Sequence, residues 1–112
     1  MNVIEMNEGP KIEYEVTGNK ICFDDDLTIN LAKREADDPV EIDVCSDNDG
    51  NLVIGSAAGR AYVAQISIPA REYEDVEVEA EDNEEDEEPE TITERRPVPF
   101  NIDRCTLALW AI

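Results

Sequence analysis

With 112 residues, 41% of them apolar and 34% charged, the chain has room for one hydrophobic core but not two, and its composition suits a folded body with solvated parts. Its 29 acidic residues against nine basic ones give a net charge of −20, and there is no histidine. These totals exclude Ser-His-Asp and Cys-His catalysis and a Cys/His zinc site, and nine scattered bases form no patch for binding DNA or RNA directly.

The charge is concentrated. Twelve acidic residues and no basic one stand between Glu74 and Glu90, which leaves 17 acids against nine bases elsewhere, a balance of −8. A balance of that size is ordinary for a small soluble domain. The chain therefore reads as a single domain, 1–112, carrying an acidic and flexible insertion at 74–90. No apolar stretch approaches the roughly 20 residues that span a bilayer, and the charge opposes anionic headgroups, so no membrane contact is expected. The opening MNVIEMNEGP has neither a basic nor an apolar signal region, and Cys22, Cys45 and Cys105 are odd in number and form no C-x-x-C pair. A cytoplasmic protein with reduced, buried thiols is expected.

In chain order, Ile12, Tyr14 and Val16 alternate with polar residues, Gly18-Asn19 supplies a turn, and Ile21 and Phe23 resume the alternation. Period two on both sides of such a turn predicts a hairpin. Leu27, Ile29 and Leu31 predict a strand, although Leu27 and Leu31 would also share a helical face. Lys33 to Pro39 reads as a connection with room for one helical turn, because a proline disfavours helix in the residue before it. Val40, Ile42 and Val44 predict a strand, the run Ser46 to Asn51 a turn, and Leu52 to Ile54 its return. Tyr62, Ala64, Ile66 and Ile68 predict a further strand. The stretch from Tyr73 to Pro97 reads as an excursion whose flanks pair as a ribbon, with Arg95 and Arg96 placed to meet the carboxylates of its rising limb. Cys105 to Ile112 is apolar on both parities, as in a strand covered on both faces. The fold class expected is all-β or mainly β: a small antiparallel sandwich or barrel of seven to eight short strands with a protruding acidic loop or ribbon. Self-association through apolar strands is left open.

Little here builds a catalytic centre. Asp47-Asn48-Asp49-Gly50 resembles a fragment of a calcium loop, but with Gly50 at the sixth position Cys45 falls first and Ser56 twelfth, where a bidentate glutamate belongs. A plain turn is expected there, and a solvated one at Asp24-Asp25-Asp26. Phosphate-binding glycine motifs are missing from the sequence. No enzyme activity, cofactor or metal site is expected.

The distinctive candidates are the carboxylates Glu77, Glu79, Glu81, Asp82, Glu84, Glu85, Asp86, Glu87 and Glu88. A row of them can imitate phosphates and steer association with a basic protein surface. In size and charge the chain resembles small acidic antagonists carried by phages and mobile elements, which implies a non-enzymatic inhibitor or nucleic-acid mimic with a basic protein partner. The alternative is a structural or assembly subunit, a homo-oligomer joined through apolar strands, in which the acidic segment only solubilises.

Overall fold

The computed structural model describes residues 1–55, 61–79 and 91–112, and these form strands and two 3-10 turns without an α-helix. The strands are β1 (Asn2–Glu5), β2 (Tyr14–Thr17), β3 (Lys20–Phe23), β4 (Leu27–Asn30), β5 (Val40–Ser46), β6 (Leu52–Ile54), β7 (Ala61–Ile68), β8 (Tyr73–Glu79), β9 (Thr91–Pro97) and β10 (Thr106–Leu109). No described helix is long and apolar enough to cross a membrane.

β2, β3 and β4 make a three-stranded antiparallel meander. Gly18 turns the first hairpin with φ +59°, a conformation an L side chain rarely adopts, and Thr17 then pairs with Lys20 across a two-residue loop. The second sheet has five strands in the order β1-β10-β7-β5-β6. Its β5–β6 hairpin turns at Asp47, whose carboxylate accepts the backbone N–H groups of Asp49 and Asn51, both at 2.9 Å. The plain turn expected at this run is thus held by a single side-chain oxygen, Asp47 Oδ1.

Ile21, Phe23, Ile29 and Leu31 from the meander side share one core cluster with Ile42, Val44, Ile66, Ile68, Leu107 and Leu109 from the larger sheet. The alternation that marks the strands in sequence is what aims these residues the same way. A register shift between Val44 and Cys45 breaks the pairing of β5 with β7 and lets the neighbours Val63 and Ala64 both be buried. Cys45 is buried as well but stands outside the core cluster, on the opposite parity from Val44.

Several expectations need correction. The ten described strands divide into eight in the two larger sheets and two in a separate pair, β8 and β9, where a single sandwich or barrel is expected. The larger sheet is mixed, because β1 runs parallel to β10 from Asn2↔Thr106 to Glu5↔Leu109. No barrel closes among the described residues, since β1 and β6 end the five-strand order without pairing to each other. On β10 only one parity is deeply covered: Leu107 and Leu109 are buried, whereas Thr106, Ala108 and the following Trp110 are half-buried. Trp110 leans on Tyr62, with ring centroids 5.3 Å apart.

Candidate functional site

β8 and β9 form a two-stranded antiparallel ribbon from Tyr73↔Pro97 to Glu79↔Thr91. A lone hairpin is marginal in water, so its base matters. There Arg71 donates its backbone N–H to the Ala36 carbonyl at 2.8 Å and its guanidinium to the Glu35 carbonyl at 2.9 Å. The same guanidinium meets the carboxylates of Glu35 and Asp37, each at 3.3 Å, and the Tyr73 hydroxyl donates to Asp37. The Glu35 side chain is only 9% exposed, so Arg71 neutralises a charge that water hardly reaches. On the returning limb Val98 donates to the Glu72 carbonyl at 2.8 Å, and Arg104 pairs with the Glu72 carboxylate at 2.9 Å. Polar contacts of Arg71, Glu72 and Tyr73 therefore fasten the rising limb to the body, and the returning limb is tied to the rising one through Val98.

Above that base the ribbon has two unlike faces. Strand alternation puts Asp75 and Glu77 on one face with their partners Arg95 and Thr93, and Val76 and Val78 on the other with Glu94 and Ile92. Asp75 and Glu77 are exposed, Val76 and Val78 half-buried, and Ile92 is 52% exposed. Strand geometry sets the backbone positions of Asp75 and Glu77 roughly 6.8 Å apart.

Of the residues singled out in the sequence, Glu77 lies exposed on β8, and Glu79 ends that strand opposite Thr91. Glu81, Asp82, Glu84, Glu85, Asp86, Glu87 and Glu88 lie outside the described residues, as does the expected flexibility of the run. The arginines behave differently from expectation. Arg95 faces Asp75 in register, yet its guanidinium lies 4.2 Å over the Tyr73 ring, and Arg96 binds Glu94 of its own strand at 2.8 Å. The clamp of Glu35, Asp37 and Arg71 joins residues more than thirty positions apart, and no local sequence signal marks it.

Two of the three thiols, Cys45 and Cys105, are buried and poorly suited to chemistry. Burial first, and the nearby Asp43 second, push the Cys45 thiol above its usual range. Burial does the same to Cys105, outweighing first the N-terminal ammonium and then the cationic Arg104, whose side chain is occupied by Glu72. A raised pKa keeps both protonated and poorly nucleophilic near neutral pH. No three Cys, Asp or Glu side chains among the described residues converge as a metal would require.

The chain matches no known family, no curated protein and no solved structure. Its function has to be argued from its own surface.

Proposed function

We propose that this chain is a non-enzymatic interaction module that engages a basic surface on a protein partner, acting as an acidic inhibitor or nucleic-acid mimic. The observation that carries this reading is the clamped ribbon β8–β9, which presents Asp75 and Glu77 to solvent and leads from both limbs into the remaining carboxylates of 74–90. Free carboxylates in a row steer a cationic partner at long range and bind it with strong salt dependence. Fastening the base lowers the ordering cost of presenting them. We also read the two sheets that share the core as a small sandwich, with the ribbon as its appendage. The three free cysteines suit a reducing compartment, in keeping with a cytoplasmic protein.

The test is capture of partners by the full chain and by a variant lacking residues 75–88, at about 50 mM and about 500 mM NaCl. Basic proteins retained by the full chain at low salt, released at high salt and missed by the variant are expected. Equal capture by both chains would sink the reading.

A second reading has its own observation. β1 is an edge strand whose Val3 and Ile4 are 46% and 50% exposed, which suits self-association of an assembly subunit. It predicts a multimer whose mass in light scattering is the same at both salt concentrations.

A further inference from the structure

A groove of about 590 Å³ opens at the seam between the two sheets, within the size range of ligand-binding clefts. Its floor is apolar, formed by Ile12 and Val63, both buried, and by half-buried Leu52. Glu13, Asp24 and Asp26, all exposed, line it as well and give it an acidic lip. Lys11 is the one described cation in the lining, and its ammonium is already spent on the Gly9 carbonyl at 2.8 Å. The groove thus joins an apolar floor to three carboxylates that lack a basic partner among the described residues.

We infer that this groove is a docking site for a cationic, amphipathic peptide segment of the partner protein. Lysine and arginine carry an aliphatic stem that lies on an apolar floor while the charged head stays in water among carboxylates. Charge selects this occupant over others. The chain's own acidic run and the ribbon of a second copy would both bring negative charge to a negative lip. The opposite end of the meander, where Lys20 and Lys33 border a shallow depression, is positive. The body therefore has an acidic end and a basic end, and a cationic segment is drawn to the end that holds the groove. The inference rests on the proposed basic partner for the sign of its ligand, and differs from it in location and in requiring apolar contact. Aspartates in a turn answer to charge alone, whereas a groove with Leu52 and Val63 at its base also rewards apolar side chains.

Two synthetic peptides of equal charge separate these contributions, one alternating lysine with leucine and the other lysine with glycine. Each is titrated into the full chain while backbone amide shifts and the fluorescence of Trp110 are followed, Trp110 reporting through its contact with the groove residue Tyr62. The leucine peptide is expected to shift the amides of Ile12, Glu13, Leu52 and Val63 saturably and to bind roughly 10-fold tighter than the glycine peptide. In the double variant Glu13→Lys, Asp26→Lys, whose substitutions fall on exposed side chains, both peptides are expected to lose affinity for the groove, and undiminished groove binding would overturn the role of the acidic lip. Shifts confined to 74–90 and equal for both peptides would overturn the groove and leave the acidic-module reading standing. Shifts at Val3 and Ile4, or at Val76 and Ile92, would overturn it in favour of another apolar surface. Groove shifts that appear with rising protein concentration and no peptide would assign it to a second copy and likewise overturn it. An absence of binding anywhere would sink both proposals.

Discussion

Asp24 and Asp25 both hold φ +51°, and the Asp26 N–H donates to the Phe23 carbonyl at 2.9 Å. Two successive left-handed residues make a mirror-image turn, the kind that fits the twist of a hairpin and is usually built from Asn and Gly. Each non-glycine residue there costs about 1 kcal/mol. Like charges side by side add to that cost. Asp25 is exposed and outside the groove lining, whereas Asp24 and Asp26 belong to it. Asp25→Gly is therefore expected to raise stability by roughly 1 kcal/mol in urea unfolding while leaving peptide binding at the groove unchanged. A loss of stability instead would show that the Asp25 carboxylate makes a contact that outweighs its backbone strain.

At the scale of elements, the ribbon depends on its clamp. Arg71→Ala removes the cation from Glu35 together with the donor to the Glu35 carbonyl, and a carboxylate left almost buried without a partner costs roughly 1–3 kcal/mol. Hydrogen exchange is expected to quicken first in β8 and β9, because the ribbon shares no part of the core cluster. Unchanged protection in the ribbon would show that it stands without the clamp. The hairpins of the body were legible from sequence because alternation and turn residues are local, and Gly18 and Asp47 sit where such turns need them. β1 was not. Val3 and Ile4 are adjacent, so they show no period of two, and the strand exists through pairing with Thr106 to Leu109 at the far end of the chain. The partners of Arg95 were missed for a related reason. Register sets it opposite Asp75, but Tyr73 lies diagonally on the same face, within reach of a guanidinium that gains more from an aromatic ring than from an exposed carboxylate.

For the whole molecule, the partition of charge was readable in the sequence and the shape that uses it was not, because linear spacing says nothing of which strands lie side by side. Folding holds Asp75 and Glu77 in fixed rows and brings the limbs of a strongly acidic segment together at the base of β8 and β9. In the unfolded chain the same charges spread apart, so repulsion weighs on the native state more. Added salt screens it, with a Debye length of about 10 Å at 0.1 M. The full chain is expected to melt roughly 4 °C higher in 0.5 M NaCl than in 20 mM, a gain of somewhat under 1 kcal/mol. Removing residues 75–88 deletes ten of the 29 acidic residues, none of them in the core cluster. That variant should match or exceed the melting temperature of the full chain at low salt and show a much flatter response to NaCl. Two results would count against this division of labour. If the deletion lowers the melting temperature at both salt concentrations, the ribbon is part of what holds the body together. If the salt response is undiminished, the repulsion resides in the body, at Glu13, Asp24 and Asp26 among others, and the excess charge of 74–90 has no hold on the fold.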